Sequence, residues 1–200
     1  MSIDPAPERP SAAREAIFSA ATRLFGERGY TGTTMRDIAK AVGILPGSLY
    51  AHIQSKEAVL LEIIEGGVDR FNAAVDRIDA MNLAPEPALR QAVREHLRIV
   101  ADSPGRTLIV FHQWRFLDDE NRDRLLAKRA HYEAFFVRTV RSGIELGHFD
   151  EHLDPKVTVL AMLGALNWTP EWFSPGGPAS PDEVADKIAD GLLGGTLRRA

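Results

Sequence analysis

Two hundred residues carry 24 basic and 28 acidic side chains, so the net charge of −4 supplies no cationic surplus for coating nucleic acid indiscriminately. The absence of cysteine excludes a disulfide framework and a thiolate zinc site. A hydrophobic share of 44% suffices for a sizeable core, yet no apolar run approaches a membrane span or signal core, so a cytoplasmic protein is expected.

Residues 1–10, with three prolines, read as a mobile arm. Residues 11–28 form a first helix, capped by Ser11, with Ile17, Ala20, Ala21, Leu24 and Phe25 on one face and Gly29 at its end. Thr34 is a good N-cap for the next helix, and Asp37 completes a capping-box-like pair. Met35, Ile38, Ala39 and Val42 recur at helical spacing, and Gly43 supplies the left-handed stop. A second short helix over 45–53 begins at Leu45-Pro46, where proline costs no hydrogen bond. Helix, glycine turn and short helix follow the order of a DNA-binding helix-turn-helix, giving a three-helix head over 11–54.

Leu49 and Ile53 point back at the core, leaving Gly47, Ser48, Tyr50, Ala51 and His52 mostly outside. Small residues near the helix start let it sit deep in the major groove, while Tyr50 and His52 reach toward phosphates. The candidate DNA-contacting residues are Thr33, Thr34, Arg36, Leu45, Pro46, Gly47, Ser48, Tyr50, His52 and Lys56. Residues 1–58 hold seven basic side chains against six acidic, so the proposed DNA face lies at the less acidic end.

Residues 55–200 are expected to form a ligand-binding and dimerisation body. Ser55 caps a long helix with Val59, Leu60, Ile63, Ile64, Val68, Phe71, Val75 and Ile78 on its apolar face. Gly66 and Gly67 fall in its middle, where close packing explains them better than a bend. Further helices are expected from Pro85-Pro87 to about 102, from Ser103-Pro104 through Leu117, over 122–146, and from Asp154-Pro155 to about 173. Ser180 to Glu183 gives the last one a full capping box. The fold class is therefore all-α, with about nine helices.

At 25–44 (FGERGYTGTTMRDIAKAVGI), 45–53 (LPGSLYAHI) and 55–64 (SKEAVLLEII) the chain resembles the tetracycline-repressor (TetR) family of bacterial transcriptional regulators. Ile53 stands where that signature usually has Phe, which keeps an apolar core residue. The resemblance implies a repressor that binds palindromic double-stranded operator DNA as a homodimer and is released by a small-molecule effector. It also implies that the final two helices pair with their twins; Leu160, Leu163, Trp168, Trp172, Ile188 and Leu192 are the expected interface residues. NWTPEWFSPGGPASPDEVA (167–185) is similar to a subgroup with repressors of fatty-acid and steroid-ring catabolism, several of which sense acyl-CoA thioesters.

The aromatics on the middle helices suggest a cavity for an apolar or amphipathic effector, lined by Phe71, Phe111, Trp114, Tyr132 and Phe135. Arg138 and Arg141 would hold an acidic end, with Arg115, Lys128 and Arg129 as further cations. No Arg or Lys occurs between Val157 and Ala185, where steroid-type members place arginine near the tryptophans.

A helical enzyme or scaffold with a neutral hydrophobic ligand is the alternative. It lacks a Gly-x-Ser-x-Gly elbow and a phosphate loop. His148 and His152 flank Asp150 and Glu151 in an expected loop and read as solvent-exposed groups, so neither metal nor cofactor is expected. His96, His112 and His131 read as amphipathic surface or pocket-lining groups.

Overall fold

The computed structural model describes residues 12–196; the expected arm and the Ser11 cap lie outside them. All regular elements among the described residues are helical, as expected. They are α1 (Ala12–Arg28), α2 (Met35–Val42), α3 (Pro46–Leu49), α4 (Lys56–Asp79), α5 (Pro85–Asp102), α6 (Pro104–His112), a 3-10 turn (Trp114–Phe116), α7 (Asp119–Glu145), α8 (Pro155–Asn167), α9 (Thr169–Trp172) and α10 (Pro181–Gly194).

Local chemistry sets most of these boundaries. The Asp37 N–H donates to Thr34 Oγ1 at 3.2 Å while the Thr34 N–H donates to Asp37 Oδ2 at 2.9 Å, closing a capping box at α2. Ser180 and Glu183 do the same at α10. Ser55, Asp118 and Asp154 each accept a backbone N–H at the starts of α4, α7 and α8. Asp118 thus opens α7 at Asp119, three residues before the expected start.

Two expected helices of the body are shorter in the structure. The helix expected from Ser103-Pro104 through Leu117 stops at His112; Gln113 caps it, with its backbone N–H donating to Ile109 O and its side-chain amide to Phe25 O at 2.9 Å. Ser103 does not cap it through its side chain. The helix from Pro155 ends at Asn167, since Pro170 lacks an N–H for the ladder and disfavours helical backbone at Thr169.

The core has two main parts, and α4 runs through both. Val59, Leu60, Ile63, Ile64 and Val68 join the head residues Ile17, Leu24, Phe25, Ile38, Leu49 and Ile53. That cluster also takes Ile109 and Val110 from α6 and Leu125 from α7, so head and body share buried surface. Farther along α4, Val75 and Ile78 pack with Leu89, Val93, Phe136, Leu166, Ala185 and Leu193 in the body core. A small third cluster of Phe71, Ala74 and Ile99, with Phe111 and Tyr132 beside it, sits between them.

Two glycines permit close approaches. A Cβ on Gly67 would lie 2.3 Å from Val110 Cγ2, so its absence lets α4 pack directly on α6. Gly66 meets nothing within 4 Å, so the packing expectation holds for one of the pair. Gly143 gives the same clearance to the buried ring of Phe149.

Helix α10 lies antiparallel on α5, and a ladder of ion pairs runs along their shared edge. Arg90–Asp190 is at 2.6 Å, Arg94–Asp186 at 2.7 Å and Arg98–Asp182 at 2.8 Å. Each exposed pair is worth little alone, on the order of 0–1 kcal/mol. Recurring every fourth residue on both helices, the three favour one register of α10 on α5.

Candidate nucleic-acid interface and effector cavity

In the head, the Thr34 cap starts α2 and Gly43, at φ 78°, turns the chain out of it. Helix α3 keeps only one full turn before loosening, which corrects its expected extent of 45–53. Its backbone nevertheless continues to curl, since the N–H groups of His52 and Ile53 both donate to Leu49 O. Leu49 and Ile53 are buried as expected, so the curl is anchored from beneath.

The opposite face is open. Leu45 is 76% and Tyr50 56% exposed, large values for apolar and aromatic side chains next to a well-packed core. Pro46, Gly47, Ser48 and His52 are exposed beside them, and Thr34 and Arg36 are exposed at the start of α2. Eight of the ten candidate DNA residues therefore sit on an accessible surface.

Thr33 and Lys56 are placed differently. Thr33 is fully buried and its hydroxyl reaches the carbonyls of Gly29 and Leu24 at 3.0 and 3.2 Å. The Lys56 ammonium donates to the carbonyls of Tyr30 and Thr33, each at 2.9 Å, and rests 4.1 Å from the Tyr30 ring centroid. Partial burial lowers its pKa. Thr33 ties the turn before α2 to the end of α1, and Lys56 ties the same turn to the start of α4, so the exposed face is anchored to both helices.

A cavity of about 450 Å³ lies between α4, α5, α6, α7 and α8. Phe71, Phe111 and Tyr132 line it as expected, together with Val68, His96, Arg129, Leu160, Gly164 and Asn167. Two other hollows, of about 590 and 520 Å³, are open grooves over α1–α6 and at the far end of α4 and α7.

Four expected lining residues point elsewhere. Trp114 sits in the 3-10 turn and packs on the head cluster. Phe135 is buried in the body core, on the side of α7 facing away from Leu126, Arg129, Ala130 and Glu133. Arg138 pairs with Asp79 at 3.1 Å on the outer surface, and Arg141 is exposed two turns beyond the cavity.

The cavity's polar lining groups are His96, Arg129, Tyr132, Glu133 and Asn167, of which Glu133 pairs with Lys156. His96 is 1% exposed, its ring 4.8 Å from Phe71 and 5.7 Å from Phe111, and Nδ1 lies 3.1 Å from the Tyr132 hydroxyl. Burial pushes its pKa down to about 3, against a smaller opposing effect of the Leu166 carbonyl, so the ring is neutral at pH 7. Burial alone raises the Tyr132 phenol far above its usual range. The Arg129 guanidinium donates to Val110 O and lies 5.3 Å from the Trp114 ring centroid. Desolvation lowers its pKa to about 10, and among the described residues no carboxylate pairs with it.

His96 carried a sequence signal. It falls in step with Leu89, Ala92, Val93 and Val100 on the buried side of α5, a polar residue in an apolar stripe. Arg129 was among the candidate cations, but nothing in the sequence separated it from Arg138 and Arg141.

On the outside of the body, α8 and α9 expose Val157 (64%), Leu160 (53%), Trp168 (59%) and Trp172 (53%). With Ala161, Gly164 and Ala165, also exposed, they form a continuous helical stripe. Leu163, Ile188 and Leu192 are half-buried and pack against the body core. Glu171, in the stretch without Arg or Lys, faces His112 Nε2 at 3.3 Å.

Residues 17–63 match the family described as bacterial regulatory proteins, tetR family, and residues 82–196 match the tetracyclin repressor-like C-terminal domain. The chain is similar to the HTH-type transcriptional repressor KstR2 of Mycolicibacterium smegmatis, with 26% identity over 94% of this chain and 93% of that protein. It also resembles the solved structure of AibR in complex with isovaleryl coenzyme A and operator DNA, at 30% identity and a TM-score of 0.81, covering 90% of this chain and 97% of that one. The structure of the TetR family regulator PfmR from Thermus thermophilus has a TM-score of 0.81 at 32% identity, covering 92% and 99%.

Proposed function

The chain belongs to the TetR family of DNA-binding transcriptional regulators, and from that membership we propose that it is a homodimeric repressor released from palindromic operator DNA by a small amphipathic effector. The observation that carries this reading is the exposed face of Leu45–His52, held over a buried base and tied to α4 through Lys56. Thr34, Arg36, Leu45, Pro46, Gly47, Ser48, Tyr50 and His52 are its DNA-contacting set; Thr33 and Lys56 position it. A protein of this kind works where the chromosome is, in the cytoplasm.

The exposed stripe on α8 and α9 supports dimerisation, because an isolated soluble chain rarely leaves so many large apolar residues in one line. A homodimer presents two heads, as a two-half-site operator requires. The effector occupies the cavity between α4 and α8, with most of its affinity coming from apolar contact at about 25 cal/mol per Å² buried. An acyl-CoA thioester is one candidate, supported by the isovaleryl coenzyme A bound to AibR. Arg129 is then the cation nearest its polar end.

The mechanism is a two-state equilibrium. Phe71 and Val68 line the cavity from the helix whose first turns bury Val59 and Leu60 in the head core. A ligand that prefers one setting of α4 therefore alters the head's position, with a coupling typically of about 1–3 kcal/mol. Mobility-shift assays on DNA flanking the gene, with acyl-CoAs, free acids and neutral aromatics added in turn, test the proposal. Retardation relieved by one class is the expected result; retardation that no member relieves removes the effector part of the reading.

A further inference from the structure

The first turn of α3 departs from what the fold by itself asks for. Leu45 occupies its N-cap in extended backbone, at φ −69° and ψ 145°, and no side-chain hydrogen bond closes the cap. Five other helices begin at Thr34, Ser55, Asp118, Asp154 and Ser180, each of which accepts a backbone N–H. Leucine is among the poorest residues for that role. It gains nothing by burial either, since at 76% it is the most exposed large apolar side chain among the described residues. Its backbone is nonetheless fixed. The Leu45 carbonyl accepts the N–H groups of Ser48 and Leu49 at 3.0 and 3.3 Å, and Pro46 restricts the residue before it. A well-anchored leucine that neither caps nor packs breaks a local rule without a structural gain, and such positions point to function.

Leu45 shares this turn with Pro46, Gly47 and Ser48, all exposed. A Cβ on Gly47 would meet nothing within 4 Å, so the protein leaves that space open. Of the four, only Ser48 has a side-chain hydrogen-bonding group. In a helix-turn-helix the opening residues of the second helix are the ones that meet base edges. Those edges offer hydrogen-bonding atoms at every base pair of the major groove and one distinctive apolar group, the C5-methyl of thymine.

We infer that Leu45 reads a thymine methyl in each operator half-site, and that recognition at this turn is by apolar contact. The inference rests on the Leu45–His52 face being the DNA-contacting surface, and it names a base which that surface selects. Leucine cannot hydrogen-bond a base. Cytosine, adenine and guanine present no methyl at that position, so opposite them the side chain buries less and dries polar atoms without replacing their water. Twofold symmetry uses the contact twice.

The test uses the full-length protein and the duplex enriched from a random-sequence pool, resynthesised with deoxyuridine in place of single thymidines. Deoxyuridine pairs as thymidine does and lacks only the 5-methyl. Fluorescence anisotropy should find one thymidine per half-site whose replacement weakens binding about fourfold, the effect of one buried methyl, and about fifteenfold when both half-sites are changed. Leu45→Ser supplies a better cap and opens no cavity, so its thermal midpoint should be no lower than that of the wild type. The variant should hold the thymidine and deoxyuridine duplexes equally. An enriched duplex without a sensitive thymidine, or a sensitivity that survives Leu45→Ser, would overturn the inference while leaving the DNA face in place. A pool that yields no bound duplex would overturn the DNA reading and the inference with it.

Discussion

A histidine kept neutral inside an aromatic cluster has a consequence for stability that does not depend on any ligand. His96 titrates near 6.5 in an unfolded chain and at about 3 in the fold. Between those values the unfolded chain binds a proton that the folded one does not, so its contribution is intact above pH 6.5 and is lost as pH falls toward 3. The slope is about 1.4 kcal/mol per pH unit inside that window. Urea unfolding of wild type and His96→Phe at a series of pH values isolates it, because other groups cancel in the difference. The wild type should lose stability relative to the variant as the solution is acidified. Parallel curves would mean that His96 is hydrated in solution.

This residue also marks how far the sequence reaches. Its place in the apolar stripe of α5 was visible, and that stripe alone puts it inward. Its pairing with Tyr132 was not, since that depends on how α5 and α7 are rotated against each other. The same rotation sends Phe135 and Arg138 away from the cavity while bringing Arg129 in. Capping residues behave differently. Thr34, Asp37, Gly43 and Ser180 act through neighbours one turn away, so their roles could be read directly.

Among the elements, α4 has the most to coordinate, and two adjacent glycines test its packing. Gly67→Ala places a Cβ against Val110 where α4 meets α6, and overpacking of that kind costs about 1–3 kcal/mol. Gly66 is exposed with open space around it, so Gly66→Ala should instead stabilise the helix, by up to about 1 kcal/mol. Denaturation midpoints should therefore move in opposite directions. A shared direction would mean that α4 and α6 are not in contact as described. The sequence offered both glycines equally, and only the position of Val110 distinguishes them.

Helix α8 faces both ways. Leu160 and Gly164 line the cavity and also lie on the exposed stripe, so a change at Leu160 would confuse effector binding with association. Trp168 lies on the stripe and does not line the cavity, which makes Trp168→Glu the cleaner probe. Twofold symmetry would place that charge in the interface twice, at a cost of several kcal/mol. Sedimentation equilibrium should find a micromolar dimer for the wild type and mostly monomer for the variant. A wild-type monomer would remove the proposed interface.

At the scale of the whole molecule, the head is not hung from the body by a bare linker. Ile109, Val110 and Leu125 enter the head cluster, Gln113 donates to Phe25 O, and the Asp118 N–H donates to Glu57 at 2.7 Å. A shift of α6 or α7 around the cavity must repack residues that also support α1 and α4. The boundary expected near residue 55 from the sequence hides this, since it divides the chain where α4 begins while the buried core continues across it. In the proposed dimer, a shared core would let a modest ligand-dependent shift move both heads as rigid units.

The central claim is that such a dimer reads a two-part DNA site with the Leu45–His52 faces. Selection of bound duplexes from a random-sequence pool, followed by fluorescence-anisotropy titration of the enriched duplex against a scrambled one, tests it most directly. The enriched sequence should be twofold symmetric, with half-site centres about 34–36 Å apart or a multiple of that spacing. It should bind at least about a thousandfold more tightly than the scrambled duplex, and Tyr50→Ala should weaken it by about tenfold. A pool that yields no symmetric sequence, or a selected duplex held no more tightly than the scrambled one, would contradict the claim.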